Sequence, residues 1–260
     1  MNQLRQMFAS LGRPALLPFL TAGLPEPAHS LGLFAAMAEA GADGFEVGIP
    51  YSDPLMDGPV IMRGSEAALA AGTNQATAME LMGKVAALGR PALAMTYANP
   101  VIQAGWETYC RNLAAAGAAG IIVPDLPLEE SAPLREAAQG TGLGVVLFVS
   151  PTSDRTRIEQ VAAADPAFIY GVSDLGVTGE RREVSEHVAA LSVRVREVTN
   201  IPLVLGVGIS TPEQVAAVKD LADGIIVGSA LVRLVLEAPT PAAAAQSLGR
   251  AVEALHAALI

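Results

Sequence analysis

Short β-rich runs of apolar residues alternate along the chain with longer segments in which apolar residues recur at helical spacing. Most runs are bounded by glycine or proline, a pattern typical of buried strands. Eight runs are predicted to be strands, at 15–21, 44–48, 92–96, 120–124, 144–150, 168–172, 202–206 and 224–227. The segments between them predict helices at 30–40, 77–88, 106–116, 128–139, 156–164, 184–199 and 212–221.

This alternation predicts an α/β fold. Eight strand-then-helix units in about 250 residues match a closed (β/α)8 TIM barrel. A doubly wound open sheet uses the same alternation and is the rival architecture. No convincing second domain or low-complexity tract interrupts the pattern, so we predict a single TIM-barrel domain over residues 1–260. Residues 237–241 would form a short joint before a last helix that ends at Ile260.

One predicted strand carries a carboxylate among apolar residues. Side chains alternate faces along a strand, so Phe45 and Val47 share the side that helices cover, and Glu46 faces inward. Active sites of barrels are built at the carboxyl ends of strands, where Glu46 would lie. Burial there raises the pKa of a carboxyl group and makes it a candidate proton donor and acceptor. A structural carboxylate paired with a buried arginine or backbone donors is an equally open interpretation.

The turns after the last two predicted strands are rich in glycine. Gly208 follows the seventh strand, and Gly228 and Ser229 follow the eighth, where they are predicted to open a helix. Glycines let backbone N–H groups approach an anion, and a helix N-terminus adds favourable partial charge. Glycine also serves tight turns, but barrels often form phosphate sites in these two loops. The two turns together therefore predict a phosphate site.

Composition narrows the possible partners. The chain is 52% hydrophobic with a net charge of −10, which excludes disorder and opposes binding to nucleic acid or anionic membranes. No uninterrupted apolar segment approaches the ~20 residues of a membrane helix. The single cysteine, Cys110, cannot form an internal disulfide and suits a reducing compartment. We expect a soluble, cytoplasmic protein that binds neither nucleic acid nor a membrane.

Lysine and histidine are too few and too scattered for the chemistry that many barrel enzymes use. The two lysines, Lys84 and Lys219, fall within predicted helices, so a Schiff base at a strand end is not expected. The three histidines lack the spacing of metal ligands. Acid–base chemistry by carboxylates, without metal or cofactor, remains. Glu46 and Asp57 form the best pair, and Asp125 after the fourth strand is an alternative.

The carboxylate-bearing segment resembles the tryptophan synthase alpha chain family. The likeness rests first on the stretch Glu46-Val-Gly-Ile-Pro-Tyr-Ser-Asp-Pro-Leu-Met-Asp-Gly-Pro59, which is highly specific. Further matching segments follow in the expected order and cover nearly all eight units, at 18–23, 97–100, 123–130, 176–179, 206–210 and 222–230. The glycine turns among them are shared with many barrels.

The resemblance implies a lyase that splits indole-3-glycerol phosphate into indole and glyceraldehyde 3-phosphate. Glu46 would donate a proton to ring carbon C3 and take the side-chain hydroxyl proton, while Asp57 would stabilise the cationic ring at its N–H. Residues implied to line or border the indole and glycerol region are Phe19, Met95, Tyr97, Ile122, Asp125 and Tyr170. Residues implied to hold the phosphate are Gly179, Gly208, Gly228 and Ser229. For Met95 and Ile122, packing inside the barrel is an equally open interpretation.

The same resemblance implies a partner. The beta chain of tryptophan synthase holds pyridoxal phosphate and condenses the released indole with serine. The alpha chain itself would bind no cofactor and no metal, and it would join the beta chain in an alpha2beta2 heterotetramer. Asp53 lies in the loop that would meet the beta chain, although an aspartate that caps a turn is an equally open interpretation.

Two positions depart from the family's pattern. Asp174 stands where family members often have arginine, and Val207 replaces a frequent phenylalanine. Both changes weaken the expectations about loop closure and about communication with the partner, although Arg181 or Arg182 could offset the acidic side chain. Alternative hypotheses are a stand-alone lyase that releases indole and a non-catalytic subunit that activates its partner. An isomerase of phosphorylated sugars on the same scaffold lacks its usual residues.

Overall fold

The structure is a computed structural model of the chain and describes residues 2–172, 181–206 and 208–260. For residues 181–186 it describes the backbone only. Within the described residues nine strands pair in parallel in one sheet, in the order β5-β4-β3-β2-β1-β9-β8-β7-β6. The strands are β1 (Ala15–Thr21), β2 (Phe45–Gly48), β3 (Ala92–Met95), β4 (Gly120–Ile122), β5 (Gly144–Val145), β6 (Leu147–Val149), β7 (Ile169–Val172), β8 (Leu203–Gly206) and β9 (Gly224–Val227).

The two ends of this sheet meet and close it into a barrel. Strands β5 and β6 are separated only by Val146, whose N–H donates to the carbonyl of Ile121 in β4. On the other side, the carbonyl of Val145 accepts from the N–H of Ala167, just before β7. The predicted strand 144–150 is therefore one barrel strand interrupted at a single residue. The predicted (β/α)8 TIM barrel is confirmed, and the open sheet is excluded.

Helices cover the outside of the barrel. They are α1 (Gln3–Ser10), α2 (Pro27–Glu39), α3 (Pro59–Ala70), α4 (Gln75–Ala86), α5 (Ala98–Ala104), α6 (Trp106–Ala115), α7 (Ala132–Gln139), α8 (Arg155–Ala163), α9 (Arg181–Val198), α10 (Pro212–Val218), α11 (Ser229–Glu237) and α12 (Pro241–Ala257). Two short 3-10 helices lie at Leu128–Glu130 and Lys219–Leu221. Of the helices in the described part of the chain, none has the length and apolar character needed to cross a membrane.

Three of these helices were not predicted, and one predicted helix is divided. Helix α3 begins at a proline directly after the proline-rich loop, where the fixed φ of Pro59 suits the first helical turn. Helices α1 and α5 are short, with eight and seven residues, so each offers only about two turns in which a helical pattern can show. The predicted helix 128–139 ends and restarts at Ser131, where Pro133 opens α7.

Aromatic and aliphatic side chains fill the space between barrel and helices. Phe45 of β2 points outward and meets Phe34 of α2 edge-on, with ring centroids 5.5 Å apart. Helix α1 closes the amino-terminal end of the barrel with the buried residues Leu4 and Met7. The cavity described below lies at the opposite, carboxyl end of the barrel. The prediction that residues 1–260 form a single domain stays a prediction.

Candidate active site

A cavity of about 360 Å³ lies at the carboxyl ends of the barrel strands. Barrel strands contribute Phe19, Glu46, Met95, Ile122, Phe148, Tyr170, Val172 and Ile226 to its wall. The segments that follow strands contribute Met56, Asp57, Gly58, Ile61, Pro124, Gly208, Ile209, Ser210, Gly228 and Ser229. The wall is mostly apolar, with two carboxylates and few other polar side chains, as in pockets that enclose a flat apolar ligand.

Glu46 sits deep in this wall. It is 4% exposed, and its Oε2 atom is buried without a hydrogen-bond partner among the described residues. Burial, together with the nearby charge of Asp57, raises the pKa of Glu46 from 4.5 to about 8. A structural carboxylate would be paired, because an unsatisfied buried oxygen costs free energy. Glu46 instead faces the cavity as a neutral acid near pH 7, able to donate a proton.

Asp57 lies at the end of the loop between β2 and α3. Burial raises the pKa of Asp57 from 3.8 to about 6, while a hydrogen bond from the Tyr97 hydroxyl lowers it. The two carboxyl groups therefore separate in acidity, because Glu46 is buried more deeply and has no such donor. Near pH 7 the pair holds one proton on Glu46 and one negative charge on Asp57.

Tyrosine side chains enclose the carboxylates. Tyr170 is buried, and its pKa is raised well above 10 by burial and then by the charges of Glu46 and Asp57. Its ring packs against Phe148 with centroids 5.1 Å apart. A Cβ atom at Gly206 would lie 1.9 Å from the Tyr170 hydroxyl oxygen, so the neighbouring strand needs glycine there.

Another part of the cavity wall, after β8 and β9, is built from glycine turns. Gly208 has φ +85°, a left-handed conformation that favours glycine. Gly228 precedes Ser229, the first residue of α11, and the first N–H groups of a helix have no intrahelical acceptor. These groups line the cavity together with Ser210 and carry the partial positive charge of a helix start. Such a surface suits a phosphate group.

The structure brings together most, but not all, of the residues singled out from the sequence. Phe19, Glu46, Asp57, Met95, Ile122, Tyr170, Gly208, Gly228 and Ser229 all line the one cavity. Tyr97 is 2% exposed and lies behind the wall, where its hydroxyl donates a hydrogen bond to Asp57, which does line the cavity. Gly179, Asp174 and Val207 lie outside the described residues.

Asp125 and Asp53 occupy other positions. Asp125 is not in the cavity wall; its Oδ1 accepts the N–H of Ala98 at 2.9 Å. It therefore caps the segment that follows Tyr97. Asp53 is exposed at the tip of the loop before α3, where its carboxylate accepts from the Ser52 hydroxyl at 2.6 Å and its carbonyl accepts from the Leu55 N–H at 2.9 Å. Among the described residues the Asp53 carboxylate accepts from the neighbouring hydroxyl and from no backbone N–H, so the interpretation as a turn cap has no support in these contacts.

Several wall residues were missed from the sequence. The clearest cases are Pro124, Phe148, Ile61, Ile209 and Ser210. Phe148 could have been found by the in-and-out alternation of the fifth strand, which places it on the inner face. Ile61 could not, because helix α3 itself was not predicted.

No metal site accompanies the carboxylates within residues 2–172, 181–206 and 208–260. In these ranges no group of three or more His, Cys, Asp or Glu is arranged to hold a metal ion. The described wall offers two carboxyl groups, aromatic rings, serine hydroxyls and backbone N–H groups.

Fold and cavity together define a class of protein. It is a TIM barrel with a cavity at the carboxyl ends of its strands, lined by a proton-donating carboxyl group, an anionic carboxylate and a helix N-terminus suited to a phosphate group. The comparisons with known proteins give the family. The family model described as tryptophan synthase alpha chain matches residues 6–259. This chain belongs to the tryptophan synthase alpha chain family.

Relatives and solved structures agree with this assignment. A protein of Chloroflexus aggregans named tryptophan synthase alpha chain is 46% identical, covering 89% of each chain. Its namesake in Geobacter sulfurreducens is 41% identical over 100% of this chain and 99% of that one. A structure of Mycobacterium tuberculosis tryptophan synthase in space group F222 superposes with a TM-score of 0.89 at 36% identity, covering 99% of this chain and 98% of that one.

Proposed function

We propose that this chain cleaves indole-3-glycerol phosphate into indole and glyceraldehyde 3-phosphate, as the alpha subunit of tryptophan synthase in L-tryptophan biosynthesis. The observation that carries the proposal is Glu46, a buried carboxyl group with an unpaired oxygen, in the same cavity wall as Asp57. Membership of the tryptophan synthase alpha chain family supports the choice of substrate.

In the proposed reaction Glu46 acts as acid and then as base. The neutral carboxyl group donates its proton to C3 of the indole ring. The bond between C3 and the first carbon of the glycerol chain then breaks, and its electrons return to the ring as neutral indole. The hydroxyl on that glycerol carbon loses its proton to Glu46 and becomes the aldehyde. One proton leaves Glu46 and one returns, so the cycle closes without a co-reactant.

Asp57 supplies the negative charge that this sequence needs. Protonation at C3 makes the ring cationic, and the acidity of the ring N–H rises with it. A carboxylate that is ionised near pH 7 and lies in a low-dielectric wall stabilises that cation more strongly than water would. The pKa of about 6 for Asp57, below that of about 8 for Glu46, fits this division of roles.

The rest of the wall would position the substrate. Phe19, Met95, Ile122 and Tyr170 would provide apolar surface for the indole ring. Tyr97 would support the wall through its hydrogen bond to Asp57, and Asp125 caps the segment that follows Tyr97. Gly208, Gly228 and Ser229 would hold the phosphate through N–H and hydroxyl donors, and Gly179 belongs to the same proposed group. Glyceraldehyde phosphate and indole then leave at the open end of the barrel.

A partner completes the proposal. Indole is apolar and would be lost if it were released into water, so docking a beta chain over the mouth gives it a direct path. The beta chain would carry the pyridoxal phosphate, the alpha chain would bind no cofactor, and the assembly would be an alpha2beta2 heterotetramer in the cytoplasm. Asp53, exposed at the mouth, would belong to the contact surface.

The test is release of indole and aldehyde by the full 260-residue chain, with and without a beta chain. Glu46→Gln keeps the shape of the side chain but removes its acidic proton, so we expect turnover to fall about 10²- to 10⁴-fold, the scale of general acid–base catalysis. Thermal unfolding checks that the variant is folded. Unchanged turnover in Glu46→Gln, or a wild-type chain that only stimulates its partner, would contradict the proposal. Full activity that never responds to a beta chain would indicate the stand-alone lyase.

A further inference from the structure

The loop that carries Asp57 is exposed at its tip. This loop, residues 49–58, connects β2 to α3 and is called here the Asp57 loop. Leu55 is 88% exposed and Met56 is 62% exposed, so the tip packs little apolar surface against the barrel. An anion that must stabilise a transient cation has to be held within a fraction of an ångström, because misplacement by 1 Å can cost about 10²-fold in rate. The contacts that hold the loop therefore matter for catalysis.

Tyr97 holds the loop next to the carboxylate. Its hydroxyl donates to the Asp57 side chain and accepts from the backbone N–H of Met56 at 3.3 Å. One oxygen thus contacts both the reactive side chain and the main chain beside it. Tyr97 is 2% exposed, so these two hydrogen bonds are shielded from solvent.

Tyr51, at the start of the same loop, holds Tyr97. The two rings are stacked with centroids 5.4 Å apart and planes inclined at 29°. The Tyr51 hydroxyl accepts a hydrogen bond from Asn99 Nδ2 at 3.0 Å. Asn99 lies in α5, two residues after Tyr97, in the segment that Asp125 caps through the N–H of Ala98. Both ends of the Asp57 loop are therefore fastened to residues 97–99.

We propose that Tyr51 is a positioning residue for the lyase reaction: anchored by Asn99, its ring stacks on Tyr97 and fixes the hydrogen bond from Tyr97 to Asp57. The inference rests on the proposed function, because only there does Asp57 act as the stabilising anion. Tyr51 is absent from the cavity wall and touches no reacting atom. It acts on Asp57 through Tyr97 and through the loop that the two residues share.

The arrangement has a consequence for pH dependence. Asp57 faces Glu46 of β2, Tyr97 after β3 and Tyr170 of β7, and Asp125 acts on Tyr97 from the next strand end. Of these groups, Tyr97 is the one whose hydrogen bond lowers the pKa of Asp57. Loss of the stacked ring loosens that bond, so the pKa of Asp57 rises. The acid limb of the kcat/KM profile then moves to higher pH.

The experiment compares kcat/KM for indole release over about pH 5 to 9, a range that covers the ionisation of both carboxyl groups. Tyr51→Phe keeps the stacked ring but loses the bond to Asn99, and we expect kcat to fall about 3- to 10-fold, the scale of one hydrogen bond. Tyr51→Ala removes the ring, and we expect a fall of about 10²-fold, mainly in kcat, with the acid limb displaced to higher pH. Thermal unfolding confirms that each variant is folded at the assay temperature.

Two further variants separate positioning from general loosening of the loop. Asn99→Ala should match Tyr51→Phe, and the double variant should be no worse than either, because both remove one hydrogen bond. Ser52→Ala is the matched control: it removes a hydroxyl hydrogen bond within the same loop that does not reach residues 97–99. Its activity and acid limb should equal those of the wild type.

The outcomes are distinguishable. The positioning role would be overturned if the fold-losses in kcat of the two single variants multiplied in the double variant. It would also be overturned if the acid limb of Tyr51→Ala stayed at the wild-type pH. Either result would leave the lyase proposal standing. A wild-type chain that releases no indole would remove the lyase proposal itself. Titration of the Asp57 carboxyl carbon by NMR then still decides whether Tyr51→Ala raises its pKa, since that measurement needs no turnover.

Discussion

At the scale of single residues, Glu46 is held where its negative charge is costly. The same burial that makes it a proton donor near pH 7 also destabilises the fold whenever the carboxyl group must ionise. Its unpaired Oε2 has no donor among the described residues to offset that cost. At this one side chain, the burial that favours activity therefore lowers the stability of the fold, as is common for groups with a strongly shifted pKa.

This opposition gives a pH-dependent prediction. In the unfolded chain Glu46 ionises near 4.5, whereas in the folded chain its pKa is about 8. Between these values the folded state binds the extra proton, so the free energy of unfolding falls as pH rises. Glu46→Gln, which carries no ionisable proton, should be more stable than the wild type at pH 8, by up to about 5 kcal/mol at 1.36 kcal/mol per pKa unit.

Chemical unfolding at several pH values measures this difference. The gap between Glu46→Gln and the wild type should close as the pH falls toward 4.5, because Glu46 is then increasingly protonated in the unfolded chain as well as in the folded one. Asp57 shifts in the same direction, so Asp57→Asn should show a smaller gap over a lower range of pH. A gap that stays constant with pH would refute the linkage.

At the scale of elements, helix α1 closes the amino-terminal end of the barrel, and Asn2 attaches this helix to the barrel strands. The Asn2 Oδ1 atom caps the helix by accepting from the N–H of Leu4 at 2.9 Å. Its Nδ2 group donates to the carbonyls of Ala119, at 3.0 Å, and Gly142, at 2.9 Å, both just before barrel strands. One side chain thus joins a helix start to two strand starts at the end of the barrel far from the cavity.

Removal of this attachment should affect stability and not catalysis. We expect Asn2→Ala to lower the free energy of unfolding by about 2–4 kcal/mol, the sum of a lost cap and two lost hydrogen bonds. Thr240→Ala is the control, because Thr240 only caps α12 through the N–H of Ala243 and should cost about 1 kcal/mol. Turnover per folded molecule should equal that of the wild type in both variants. Equal losses for the two would show that the contacts with the strands contribute nothing.

The helices also show how much of the structure a sequence pattern can predict. Apolar residues at helical spacing located most of the outer helices, but α3 follows a loop whose prolines suggested no helix, and α5 contains Pro100. The inward position of Glu46 followed from local alternation alone. The pair of Tyr51 and Asn99 did not, because the residues are 48 positions apart and meet only when two neighbouring strands place their loops together. Local patterns predict elements and their faces; contacts between loops need the fold.

At the scale of the whole molecule, the two ends of the barrel differ in what they present to solvent. Helix α1 fills the amino-terminal end, whereas the carboxyl end carries exposed apolar side chains on the rim of the cavity. Leu55 and Met56 project from the Asp57 loop, and Ile102 projects from α5 and is 52% exposed. Neighbouring exposed apolar side chains on one rim are typical of a surface that another protein covers. The end of the barrel that holds the cavity is thus the face that would dock the proposed beta chain.

A charge placed on this rim should weaken docking without altering the cavity. Leu55→Lys exchanges a side chain that is 88% exposed, so the free chain keeps its fold and its basal turnover. Burying leucine in an interface contributes about 1.5–3 kcal/mol, so the Kd for the beta chain should rise about 10- to 100-fold. Ile260→Lys is the matched control: Ile260 is 79% exposed but follows α12, whose His256 meets Gly41 and Arg13 at the opposite end of the barrel. Calorimetric titration of each variant with the beta chain measures the two constants, and equal affinities for both variants would place the docking surface elsewhere.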